Sequence, residues 1–199
     1  MSISVYLLSF LLLISCEIKT VSTGEVKGNG LQITDSLKFI PDISVNGIFL
    51  EEHFTVESQI GDLMQFINRE ESLPSVYVFN NDSSQYLKLI FHPGGVKNSF
   101  SEFEVSYVGD LQESKGFRIL RFKEFITDSE IKLGMSKQDI IKRKGSDFFE
   151  IKEDYIKYIV DDFGKSIFLK KYNMPLYYAK YEFDSNNVLT KYSFGFEYP

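Results

Sequence analysis

The chain has 199 residues, of which 43% are hydrophobic and 16% aromatic, enough to bury a sizeable core as one domain or two small ones. Twenty-eight acids against 22 bases give a net charge of −6; with that apolar content the chain is not intrinsically disordered, and it lacks the basic footprint that nucleic acid requires. One cysteine excludes a disulfide scaffold and a cysteine-based zinc site, and two histidines leave little material for catalysis.

The first element is apolar. Val5 to Ile14 reads VYLLSFLLLI, interrupted only by Ser9. As a helix it would reach about 15 Å, half a bilayer core, which suits the apolar region of a signal peptide rather than a membrane span. Leu13-Ile14-Ser15-Cys16 follows and resembles the lipobox of bacterial lipoproteins, although Met1-Ser2-Ile3-Ser4 carries no Lys or Arg. The resemblance implies that residues 1–15 are removed and that Cys16 is acylated and becomes the mature N-terminus. It also implies that the protein sits in the bacterial cell envelope, held to the membrane by lipid. Two or three acyl chains anchor stably where one would not. Glu17, in place of an Asp, points to the outer membrane if the host is Gram-negative. The alternative is a plain secretory leader with an incidental cysteine. Residues 16–30 continue as a polar, Gly-rich tether with a reach on the order of 20 Å.

Beyond the tether the sequence repeats itself. Tyr86 to Ser101 and Tyr178 to Ser193 align without a gap at an offset of 92. Tyr86/Tyr178, Lys88/Lys180, Phe91/Phe183, Val96/Val188 and Ser101/Ser193 are identical. Gly94-Gly95 in one copy meets Asn186-Asn187 in the other, and both residue types tolerate the positive φ of a tight turn. Each copy therefore reads as strand, turn, strand.

Each hairpin is preceded by a candidate helix. Val56, Ile60, Leu63, Met64 and Ile67 share one helical face. Ser136 is a fitting N-cap for a second helix, with Asp139 three residues on, Gly145 as terminator, and Lys142, Arg143 and Lys144 in the last turn, where the dipole favours cations. Further strands are expected at 76–79, 117–122, 155–160 and 167–169. The last strand alternates strictly, with Tyr192, Phe194, Phe196 and Tyr198 on one face. The expectation is an α+β fold of two tandem helix-plus-antiparallel-sheet repeats, residues 31–116 and 117–199.

Leu133-Gly134-Met135-Ser136, its helix, and the hairpin from Tyr181 to Tyr192 are similar to the helix-then-hairpin signature of small envelope lipoproteins of the SmpA/BamE type. They also resemble the tandem modules of the β-lactamase-inhibitor-protein-like fold. The resemblance covers about 65 residues of the second half and reaches the first half only through the repeat. It implies helices packed on an antiparallel sheet and a role in binding other proteins. No partner-contact residue carries over.

Motifs for chemistry are sparse. His53 and His92 read as surface residues, Asp161-Asp162 as a turn, Gly28-Asn29-Gly30 as tether, and 142–144 as a solvated helix end. No metal-ligand spacing and no cofactor motif occurs. Tyrosines crowd the C-terminal strands, and an exposed Tyr is a common binding anchor. Tyr177, Tyr178, Tyr181 and Tyr192 are the candidate binding residues. Alternation sets Tyr177 and Tyr181 on one face and Tyr178 on the other. The expected function is non-enzymatic: a lipid-anchored envelope protein that binds a protein partner through a sheet face. The alternative is a small ligand or glycan held in a Tyr-lined cleft.

Overall fold

The computed structural model describes residues 39–52, 60–69, 72–92, 100–111 and 117–197. The leader, Cys16 and the tether lie outside them, as do His53, Gly94-Gly95 and Tyr198. The strands are β1 (Ser44–Val45), β2 (Ile48–Phe49), β3 (Ser75–Phe79), β4 (Gln85–Phe91), β5 (Phe100–Tyr107), β6 (Phe117–Ile119), β7 (Glu150–Ile151), β8 (Tyr155–Val160), β9 (Tyr177–Phe183) and β10 (Leu189–Phe196). The helices are α1 (Lys137–Lys144) and α2 (Ile167–Tyr172). This is an α+β fold. β1 and β2 form a small hairpin, and the rest form one sheet in the order β6-β3-β4-β5-β10-β9-β8-β7. Among the described strands only the β3–β6 pair is parallel. The strand β6 follows residue 116 in sequence yet pairs with β3 of the first half.

The period of two along each strand sorts the residues onto two faces. Val78, Leu87, Val105, Tyr192, Tyr181 and Ile156 stand opposite one another from strand to strand. A neighbouring row runs Val76, Leu89, Phe103, Phe194, Ala179 and Tyr158. All twelve are fully buried. Val45, Ile48, Phe125, Ile131, Leu133, Ile140 and Leu169 belong to the same core. Burial of each large apolar side chain is worth about 1.5–3 kcal/mol, so this face holds the sheet and its cover together.

The two similar hairpins are the four central strands. Tyr86 and Tyr178 point to the outer face, as do Lys88 and Lys180, while Leu87/Ala179, Leu89/Tyr181 and Phe91/Phe183 point to the core. The correspondence ends at a bulge. Ile90 pairs with Glu102 and Phe91 with Phe100, leaving Ser101 as an extra residue. Glu102 therefore points outward where Phe194 points in. In the second hairpin Asn187 takes φ +59, and Asp184 Oδ1 accepts from the N–H groups of Asn186 (2.9 Å) and Val188 (2.8 Å).

Helix α1 follows its sequence signals. Ser136 Oγ accepts from Asp139 N–H at 3.1 Å, and Gly145 closes the helix at φ +87. Three expectations are corrected. Residues 167–169 are helical, not a strand: Ser166 caps α2 by accepting from Leu169 N–H (3.2 Å), and Asn173 ends it in the left-handed region. In the first half, Ile60 is helical, but Gly61 takes φ +78 and a single 3-10 turn follows at Met64–Phe66. The helix expected to run to Ile67 thus breaks at Gly61. The strand expected over 117–122 ends at Ile119.

Candidate functional site

Three of the four candidate tyrosines lie on the core side of the sheet. Tyr177, Tyr181 and Tyr192 are 0% exposed. Their hydroxyls are taken: Tyr177 donates to Asp42 O (2.7 Å), Tyr181 to Asp42 Oδ2 (3.2 Å), and Tyr192 to Phe125 O (3.1 Å). Burial, then the charge of Asp42, holds all three phenols well above their usual pKa. They remain neutral donors inside the fold, out of reach of a surface ligand. Strand alternation separated Tyr177 and Tyr181 from Tyr178 but did not say which face was covered.

Tyr177 and Tyr181 converge on a buried ion pair. Lys144 Nζ lies 2.6 Å from Asp42 Oδ2, and it also donates to Ile40 O and Ser129 Oγ, each at 2.8 Å. Ser129 N–H donates to Asp42 Oδ1 (3.0 Å). Burial opposes ionisation of Asp42, but the Lys144 charge and the bonds from Lys144 and Ser129 outweigh it and hold the carboxyl below its usual pKa. For Lys144 burial prevails over Asp42, and the ammonium lies below its usual pKa. The Phe39 ring covers the ammonium and stacks on Tyr158 at 4.3 Å. The expectation of a solvated helix end is corrected at Lys144: it sits four residues after Ile140, on the buried face of α1.

Beside this knot lies a cleft of about 360 Å³, lined by Phe39, Ile40, Ile43, Phe168 and Tyr172, with Asp128 and Lys171 as its charged groups. Asp128 Oδ1 accepts from Ile43 N–H at 3.1 Å. Partial burial, then the neighbouring Asp42 carboxylate, pushes the Asp128 carboxyl up to about 6. Sequence reading missed both Asp42 and Asp128, since no local pattern marks a carboxylate whose partner lies about a hundred residues away.

The outer face of the sheet has a different character. Val108 and Leu111 cover its β3–β4 end by packing on Tyr77, Phe79 and Tyr86. Over β5, β10, β9 and β8 the side chains are half-buried and mixed in charge. One row reads Lys88, Glu104, Ser193, Lys180, Lys157, Glu150 from β4 to β7. Lys180 and Lys157 are thus directly opposed like charges, an unfavourable pair in a sheet. Each is set over a tyrosine ring: Lys180 over Tyr155 at 4.8 Å and Lys157 over Tyr178 at 5.7 Å. Tyr178, the fourth candidate, lies here, and its hydroxyl donates to Glu102 Oε2 at 2.5 Å. Burial first, with Glu197 and Glu104 adding to it, raises the Glu102 pKa, although the Tyr178 bond opposes the rise.

His92, read as a surface residue, is partly buried and pairs through Nε2 with Glu51. Among the described residues, no group of three His, Cys, Asp or Glu side chains is placed to hold a metal ion. No helix among them is long and apolar enough to cross a membrane. No family model matches the chain, and neither a curated protein nor a solved structure matches it.

Proposed function

We propose that this protein is a lipid-anchored envelope protein that binds a protein partner through the outer face of β8, β9 and β10. The observation that carries the reading is the opposed pair Lys157 and Lys180, held over Tyr155 and Tyr178 on the side of the sheet away from the core. Glu182 pairs with Lys180 at 3.3 Å, and a partner carboxylate set between the two ammonium groups would relieve the repulsion that remains. The flanking rings supply the rigid, amphipathic contact area that protein interfaces favour. The anchor rests on the apolar leader and Cys16. We further read the fold as a duplicated module of the inhibitor-like or assembly-lipoprotein type. The mirrored strand order on either side of the β5–β10 pair, and the shared faces of the two hairpins up to Ser101, support that reading.

The test is a photo-crosslinking residue placed at Ile159, which lies on the same face of β8 opposite Tyr178, in cells of the native host, with Lys170 on the exposed side of α2 as control. A discrete crosslinked protein at 159, absent at 170 and lost on Tyr155→Ala, supports the reading. Equal patterns at both positions would remove it. Cys16→Ser should move the protein from the membrane to the soluble fraction, and an unchanged membrane fraction would refute the anchor.

A second reading places a small, largely apolar ligand in the cleft beside Asp128, where apolar walls and two charged groups converge. Tyr172 is the tyrosine lining it. Native mass spectrometry of the purified protein tests this: a retained small molecule supports it, and a bare mass counts against it.

A further inference from the structure

The strand β6 closes the sheet on the first-half side, and none of the described strands lies beyond it. Leu120 N–H donates to Phe79 O at 2.7 Å, and Ile119 is the residue paired with Phe79. In a parallel ladder the bonding groups alternate along the strand, so the N–H and C=O of Ile119 point away from β3. Ile119 is 54% exposed. A sheet edge on which none of the described strands lies, with an exposed aliphatic residue, is a template for an incoming strand.

Two arginines flank this edge. Arg118, Arg121 and Ile119 line a cleft of about 610 Å³ with Leu120, Phe122 and Asn46 of the β1–β2 turn. The Arg118 guanidinium is seated against Gly61, its nitrogens 3.1 and 3.2 Å from where a Cβ on that residue would stand. Among the described residues, no acid forms an ion pair with either arginine, although acids outnumber bases in the chain. A guanidinium fork matches a carboxylate with two parallel bonds.

We propose that the β6 edge binds an extended acidic peptide segment of another protein. The segment adds as a further strand on the backbone of Ile119 and sets carboxylates on Arg118 and Arg121. Backbone groups, apolar walls and paired cations are presented together, which fits a peptide better than a free anion. This edge lies at the far side of the sheet from the β8–β9 face, so either proposal can fail alone.

The experiment is fluorescence anisotropy with a labelled eight-residue peptide of alternating Glu and Val, titrated with the detergent-solubilised full chain at low salt. Saturable binding is expected. It should fall at least tenfold in the Arg118→Ser, Arg121→Ser double variant with an unchanged melting midpoint. It should also fall at least tenfold for a peptide N-methylated at alternate amides, because strand addition needs those N–H groups. Should the serine variant fail to fold, Arg118→Lys with Arg121→Lys keeps both charges, loses the fork and is expected to weaken binding at least threefold. Equal affinity for the N-methylated peptide, or for a Lys/Val peptide, would overturn the proposal. So would displacement by inorganic phosphate at the peptide's own concentration, which marks a free-anion site. Self-association of the chain that the arginine variants abolish would place a second copy on the edge and overturn it too.

Discussion

Lys144 Nζ stands 2.6 Å from Asp42 Oδ2, with both side chains wholly shielded from solvent, and the bond ties the last turn of α1 to the segment that leads into β1. Removing one member of such a pair leaves the other buried without its countercharge, which costs about 3–5 kcal/mol. Lys144→Met should therefore lower unfolding stability by about that amount in urea titration. Adding Asp42→Asn should recover part of the loss, because the remaining group is then neutral, its Oδ1 still accepts from Ser129 N–H, and its amide NH2 can donate to the Tyr181 hydroxyl oxygen in place of the bond it received. A double variant as unstable as the sum of the singles would show that the two residues do not act as a pair.

The neighbouring carboxylate gives stability an unusual dependence on pH. Asp128 is pushed up to about 6 in the fold against an ordinary value of 3.8. Between those values the folded chain holds a proton that the unfolded chain has released, so this group adds stability as pH falls through 6. Above 6 its charge, set against Asp42, is a penalty. Asp128→Asn keeps the oxygen that accepts from Ile43 N–H and removes that charge. The variant should melt higher than the parent at pH 7.5, with the difference shrinking towards pH 4.5. A constant difference across that range would show that Asp128 titrates normally.

The signals that were legible in the sequence are the local ones. The start and stop of α1 follow from Ser136, Asp139 and Gly145, and the turn at Asn187 follows from its tolerance of positive φ. Alternation sorted Tyr177 and Tyr181 from Tyr178. Ser166, Lys170, Lys171 and Asn173 carried equally local signals for α2, but Ile167-Phe168-Leu169 reads as a strand because a short apolar run has no period of its own. What was not legible depends on distant partners. Lys144 ends a basic triplet that suits a solvated helix end, and only the fold brings Asp42 to it across about a hundred residues. Whether a tyrosine row is exposed depends on which side of the sheet the β1–β2 hairpin and α1 cover, and no strand states that by itself.

The cap of α1 is a test of the local account. Ser136 Oγ accepts from Asp139 N–H (3.1 Å) and donates to Asp139 Oδ2 (2.6 Å), while the next residue, Lys137, bonds through its N–H to Asn187 O in the hairpin turn (2.9 Å). Ser136→Ala leaves an N-terminal N–H without its acceptor and should cost about 1 kcal/mol. Ser136→Thr, whose hydroxyl can both accept from Asp139 N–H and donate to Asp139 Oδ2, should return most of it. An unchanged denaturation midpoint for the alanine variant would mean that the helix holds without this cap.

The seam between the two similar hairpins makes the strongest single-residue prediction. Gly195 of β10 faces Glu102 of β5, and its φ of +158 brings its backbone close to the bulge at Ser101. A Cβ there would stand 2.2 Å from Ser101 O and 2.6 Å from the Glu102 Cα, both backbone atoms that cannot swing aside. Gly195→Ala must therefore force β5 and β10 apart where they pair, at the centre of the eight-stranded sheet. The pairs Phe103/Phe194 and Val105/Tyr192, which fill the core beneath, would shift with them. A loss of about 3 kcal/mol or more is expected, at the upper end for one methyl group. Gly109, where a Cβ would meet nothing within 4 Å, is the control, and Gly109→Ala should be near neutral. Equal melting temperatures for the two alanine variants would show that the β5–β10 seam is not as close as the backbone here requires.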